Sequence, residues 1–103
     1  MPALAFFHIP LLEYNEIAGD GKTFGNNREG EVASANINSG MFASFIDMKD
    51  VMGVFAGHDH DNDYLGINKG IVLGYGRVTG ADAYGELTRG ARIIELYEAN
   101  SGL

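Results

Sequence analysis

Two apolar segments of strand length, separated by a helical stripe, limit the folds open to this chain. Residues 3–9 are apolar except for His8, and residues 51–57 are apolar throughout. Such runs, rich in aromatic and β-branched residues, are typical of buried strands. Between them, four apolar residues recur near a 3.6-residue period, which predicts a short helix capped by Asn38 or Ser39. They are Met41, Phe42, Phe45 and Ile46. Strand, helix and strand in this order predict a parallel pair joined by a crossover.

The later segments predict an antiparallel addition to this pair. Residues 70–75 and 91–97 are predicted strands, and residues 65–68 can form a hairpin with the first of them. Residues 13–35 are polar and rich in glycine, which predicts a long irregular connection of a kind that is often functional. We therefore expect a single α/β domain over residues 1–103, with a mixed sheet and few helices.

Composition excludes several classes of partner. The chain has 103 residues, 46% of them apolar, which is enough for one domain core. Seven basic residues are scattered among 14 acidic ones, and the net charge is −7, so we expect no nucleic-acid surface. The apolar runs are far shorter than the roughly 20 residues of a membrane-spanning helix. There is no cysteine for a disulfide or a thiolate metal site. Localisation is left open by the sequence.

The residues that can carry chemistry follow the second apolar run directly. His58 and His60 lie two positions apart, so in an extended chain their side chains project to the same side. His8 lies near the end of the first run, and parallel neighbouring strands would bring all three imidazoles to one edge of the sheet. Neutral imidazole is a common ligand of zinc and iron. For His58 and His60 alone a solvated loop is the favoured explanation, but with His8 the two strand ends use every histidine of the chain.

Polar neighbours of these histidines are candidates for orienting the imidazoles or contacting a substrate. The candidates are Glu13, Asp59, Asp61, Asn62 and Asp63. A solvated loop is the alternative explanation for Glu13, and ordinary turn chemistry is the alternative for Asn62 and Asp63.

Three motifs resemble, in their order along the chain, the C-terminal half of calcineurin-like metallophosphoesterases, most closely the purple-acid-phosphatase-like branch. They are Phe7-His8-Ile9-Pro10-Leu11, Asn38-Ser39-Gly40-Met41-Phe42 and Gly57-His58-Asp59-His60-Asp61-Asn62-Asp63-Tyr64. Residues 75–80 and 90–96 also resemble that branch. The resemblance implies a four-layer sandwich of two sheets flanked by helices. It also implies a centre of two metal ions, iron, manganese or zinc, that hydrolyses phosphate esters. His8 and His58 would bind one ion, and His60 the other.

The chain departs from the family pattern because the upstream motifs D-x-H, G-D-x-x-D and G-N-H-D/E are absent. These supply the bridging carboxylate and the other ligands. The resemblance therefore implies the second part of a longer enzyme, with Met1 not its natural start, no catalytic residue of its own and no activity alone. The alternative is a non-catalytic acidic module that binds metal or self-associates. A half-sheet exposes edges and apolar faces, so we expect a homo-oligomer.

Overall fold

A five-stranded mixed sheet with two helices forms the framework of the described chain. The computed structural model describes residues 2–18, 23–29 and 32–97. The strands are β1 (Ala3–Phe6), β2 (Phe24–Asn27), β3 (Val51–Ala56), β4 (Asn62–Asn68) and β5 (Ile71–Tyr75), and the helices are α1 (Tyr14–Ala18) and α2 (Met41–Met48). Across the sheet the order is β1-β3-β5-β4-β2. The predicted α/β class is confirmed.

Strands β1, β3 and β5 form the parallel part of the sheet. Phe6 lies opposite Phe55, and the backbone pairing continues beyond β1, because the Gly57 N–H donates to the His8 carbonyl at 2.9 Å. On the other side of β3, the Gly76 N–H donates to the Ala56 carbonyl at 2.7 Å. The predicted parallel pair is confirmed, and the chain segments that follow the three strands lie side by side.

Strands β4 and β5 form the predicted hairpin. Its loop is Lys69 and Gly70, with φ angles of 50° and 85°. Positive φ at both loop residues is typical of two-residue hairpin turns, because this turn geometry matches the twist of the two strands. The first hairpin strand begins at Asn62 rather than at the predicted Leu65, so β4 follows the histidine segment almost directly.

The core lies on one face of the sheet and is covered by both helices. Its buried residues are Tyr14, Ile17, Val32, Phe42, Val54, Ala56, Tyr64, Ile71, Leu73 and Tyr75. Helix α1 approaches β4 closely, because a Cβ added at Gly66 would lie 2.6 Å from Ile17 Cδ1. The Tyr14 hydroxyl donates to the carbonyls of Gly74 at 2.9 Å and Val54 at 3.1 Å, which ties α1 to β3 and β5. Burial raises the pKa of Tyr14, so its hydroxyl stays a donor.

The opposite face of the sheet is apolar and open. Phe6 is 64% exposed and stacks on Phe55 with ring centroids 5.4 Å apart. Ile94 and Leu96 border a groove beside β1. Association of copies through this face stays a prediction. In the described part of the chain, no helix is long and apolar enough to cross a membrane.

Several predicted boundaries are wrong. Residues 91–97 form no strand, because the edges of the sheet are β1 and β2 and this segment pairs with neither; Ile93 is 87% exposed. The polar stretch 13–35 contains α1 and β2, although the sequence predicts no regular structure there. Helix α2 begins after Gly40, whose N–H is bound by the Asn38 side chain at 2.9 Å. Strand β1 is partly exposed rather than buried on both faces.

We expect removal of the Tyr14 hydroxyl to destabilise the fold, because the buried carbonyls of Val54 and Gly74 would lose a hydrogen-bond donor. Tyr14→Phe should lower the free energy of unfolding by about 1 kcal/mol in urea unfolding. Tyr64→Phe is the matched control, because the buried Tyr64 hydroxyl has no hydrogen-bond partner among the described residues and burial raises the pKa of Tyr64 to about 12. That variant should be neutral or stabilising. A larger loss of stability in Tyr64→Phe than in Tyr14→Phe would contradict this assignment.

Candidate metal centre

His8 and His58 meet where β1 and β3 end. His8 Nε2 lies 3.2 Å from His58 Nδ1, and the two rings meet edge to face with centroids 5.1 Å apart. The backbone hydrogen bond from Gly57 to His8 fixes the two chain segments directly beside these rings. Parallel strand pairing therefore places two imidazole nitrogens side by side, although 50 residues separate them in the sequence.

His58 has a φ angle of 79°, which lies in the left-handed region. For a residue with a Cβ this conformation costs of order 1–3 kcal/mol and persists only where the surroundings enforce it. The sequence suggests that Gly57 supplies the tight turn after β3, but the turn falls at His58 instead. Backbone strain at a potential ligand is typical of functional sites.

His60 lies at the same cavity but makes different contacts. Its Nδ1 is 3.0 Å from the Tyr84 carbonyl oxygen, and its ring stacks on the Tyr84 ring at a centroid distance of 4.0 Å. The cavity, of about 270 Å³, is lined by all three histidines together with residues 76–80. Within residues 2–18, 23–29 and 32–97, no three His, Asp or Glu side chains form a group that could hold one ion. The structure thus pairs His8 with His58 and sets His60 apart from them.

The aspartates on either side of His60 bind the surrounding structure rather than the imidazoles. Asp59 is only 5% exposed and accepts hydrogen bonds from the Tyr75 hydroxyl and from the Ala33 N–H at 3.1 Å. Burial, followed by the contact with Asp59, raises the pKa of Tyr75, so its hydroxyl remains the donor.

Asp61 anchors a different segment. Its Oδ1 accepts the N–H groups of Leu87 at 3.1 Å and Glu86 at 2.6 Å. These bonds, first that from Leu87, hold the pKa of Asp61 below its usual range. Both aspartates therefore fix the course of the histidine segment.

The remaining candidates also make contacts within the fold. Asn62 is buried, and its Oδ1 accepts the backbone N–H groups of residues 28 and 29. Asp63 pairs with Arg77 at 2.8 Å and Arg92 at 2.9 Å. The Glu13 carboxylate accepts a hydrogen bond from the Asn38 amide at 3.1 Å. A contact of these residues with substrate stays a prediction.

The donor set fits the histidine side of a metal centre. Two imidazole nitrogens bound to one tetrahedral ion at about 2.0–2.1 Å would lie about 3.3 Å apart. His8 Nε2 and His58 Nδ1 are 3.2 Å apart. One oxygen of Asp59 and one of Asp61 accept hydrogen bonds that hold the fold, and among the described residues no carboxylate joins His8 and His58 in a group of three that could hold an ion.

Sequence reasoning missed the residues that support His60. Tyr84 stacks on its ring, and Glu29 accepts a hydrogen bond from the Tyr84 hydroxyl at 2.9 Å. Arg89 holds the segment that carries Tyr84. None of the three lies in a periodic segment or a motif, so only the folded chain brings them together.

Three curated proteins of Arabidopsis thaliana are similar to this chain. "Probable inactive purple acid phosphatase 29" is 44% identical over 95 residues, 90% of the chain. "Probable inactive purple acid phosphatase 28" and "Probable inactive purple acid phosphatase 14" are 45% and 35% identical over 96 residues, 91% of the chain.

The chain spans about a quarter of the length of these relatives, 24% in each case. No family model and no solved structure matches it. The resemblance drawn from the motifs is confirmed by the three relatives. Over nine-tenths of its length, this chain is similar to proteins named as purple acid phosphatases.

Proposed function

We propose that this chain contributes the histidine ligands of a metal-dependent phosphohydrolase centre in a longer protein. The observation that carries the proposal is the 3.2 Å approach of His8 Nε2 to His58 Nδ1 beside a cavity that His60 also lines. The strained backbone of His58 and the relation to purple acid phosphatases support it. Two metal ions bound at such a centre supply a hydroxide nucleophile and stabilise the oxygens of a transferring phosphoryl group.

The residues of this chain have three roles in the proposal. His8 and His58 hold one ion, and His60 holds the other. The buried Asp59, through Tyr75 and the Ala33 N–H, keeps the histidine segment in place. Residues 76–80, which follow β5, close one side of the cavity and so limit the space in which a phosphate ester is held.

Charge explains why the proposal requires a longer protein. Two adjacent cations repel each other, and three neutral imidazoles bring no negative charge to offset that repulsion. Among the described residues, no carboxylate joins His8 and His58 in a group of three that could hold an ion. The bridging anionic ligands would therefore come from elsewhere in the longer protein, and we expect no turnover by the chain of 103 residues.

A second candidate is a metal-binding segment without catalysis. The observation that favours it is that all three relatives carry "probable inactive" in their names. The same histidines would bind an ion in both cases, so metal binding alone does not separate the two candidates. Turnover by the longer protein does.

The first prediction concerns metal binding by the chain itself. Calorimetric titration with Zn²⁺ should show one main site, and we expect His8→Ala and His58→Ala each to weaken its affinity at least tenfold, because each variant removes one of the two adjacent nitrogens. Asp47→Ala is the control, because Asp47 is an exposed carboxylate of α2. Affinity unchanged in both histidine variants would contradict the shared site.

The second prediction concerns hydrolysis of a generic phosphomonoester in the presence of zinc, iron or manganese. The chain alone should give no turnover, and the longer protein should hydrolyse the ester and lose that activity in His58→Ala. Metal binding by the longer protein without turnover would favour the non-catalytic candidate. Turnover by the chain alone, abolished in His58→Ala, would contradict the requirement for further ligands.

A further inference from the structure

We infer that Tyr84 is a positioning residue that fixes the tautomer and the ring orientation of His60, an inference that rests on the metal role proposed for His60. The contact begins at the Tyr84 carbonyl oxygen, 3.0 Å from His60 Nδ1. A carbonyl oxygen can only accept a hydrogen bond, so Nδ1 carries the proton. In the neutral ring the lone pair then resides on Nε2, and that nitrogen is the one that can bind a metal ion.

The Tyr84 side chain holds His60 from two further directions. Its ring stacks on the imidazole with an interplanar angle of 15°. Its hydroxyl oxygen accepts the backbone N–H of His60 at 3.2 Å and donates to Glu29. The other Glu29 oxygen accepts the N–H of Asp61 at 2.6 Å. Tyr84 and Glu29 therefore fix the backbone on which the imidazole stands as well as the ring itself.

The segment that presents Tyr84 is organised by one side chain. Residues 80–89 contain no helix or strand. Instead, the Arg89 guanidinium donates to four backbone carbonyls of this segment: Gly80, Gly85 and Leu87, each at 3.1 Å, and Ala83. Because the Arg89 guanidinium is planar and its donors form a rigid fork, it holds the carbonyls in a fixed arrangement. Tyr84 lies between two of the carbonyls bound in this way.

Gly85 allows this segment to lie against the histidine turn. Its φ angle is 122°, and an added Cβ would lie 2.8 Å from Asp61 Oδ1 and 3.3 Å from the His60 Cβ. Asp61 in turn binds the N–H groups of Glu86 and Leu87. The segment is therefore fixed to the histidine turn directly after Tyr84, and a substitution at Gly85 would displace it.

Nitrogen-15 NMR of the imidazole side chains of the metal-free chain tests the inference. At about pH 8.5, where an unperturbed imidazole is neutral, we expect His60 to be the Nδ1–H tautomer. Tyr84→Ala keeps the backbone carbonyl but removes the ring and the hydroxyl that hold it against His60, and Arg89→Gln loosens the segment that presents it. Each variant should therefore convert His60 to a mixture of tautomers, while His8 and His58 keep their spectra. Tyr97→Ala is the matched control, because Tyr97 is exposed and lies outside this cavity. The backbone amide spectrum shows that each variant is folded, and the two variants disturb the contact independently.

A Zn²⁺ titration of the same variants provides the second measurement. Loss of an outer partner of a ligating histidine typically costs 10–100-fold in affinity, so in the longer protein, where further ligands would complete the site of His60, Tyr84→Ala should weaken binding of the second ion about tenfold. An Nε2–H tautomer in the unaltered chain, or an unchanged tautomer in both variants, would overturn the inference. Because the tautomer is measured without metal, absence of zinc binding by the unaltered chain would contradict the proposed function and leave the NMR result to decide on Tyr84.

Discussion

Parallel pairing of β1 with β3 is the constraint on which the histidine cavity depends. Parallel pairing places the carboxyl ends of both strands at the same end of the sheet. The hydrogen bond from the Gly57 N–H to the His8 carbonyl extends the pairing to the histidines themselves. Strand β5 adds a third end at that edge, from which residues 76–80 continue along the cavity. If β1 ran antiparallel to β3, His8 would lie at the opposite end of the strands from His58. No local adjustment of side chains could then restore the contact between the two histidines.

The two aspartates beside His60 bind different parts of the fold. Asp59 faces the core through Tyr75, while Asp61 faces the segment that carries Tyr84. Each carboxylate therefore fixes the backbone on one side of His60. All three imidazoles line the cavity, together with Asp59, whose Oδ2 accepts the Tyr75 hydroxyl.

The parts of the fold predicted from the sequence are those with a strong local pattern. The apolar run 51–57 and the hairpin of β4 and β5 are confirmed, because burial and turn chemistry determine both locally. Tyr14 could not be identified as a core residue, since its burial depends on two carbonyls 40 and 60 residues away. The prediction of a strand at residues 91–97 was wrong. Their apolar pattern is typical of a strand, but in the described chain they pair with no strand of the sheet.

The candidate site shows the same limit. Histidines at strand ends were visible in the sequence because strand direction determines where ends meet. The residues that support His60 could not be identified from the sequence. Tyr84, Glu29 and Arg89 act through the irregular segment 80–89, which has no periodic pattern. X-ray absorption spectroscopy of the zinc-loaded chain tests the central claim most directly. We predict two imidazole nitrogens bound to one ion at about 2.0–2.1 Å and one fewer in His58→Ala. An ion without imidazole ligands, or with the same number in both proteins, would contradict the account.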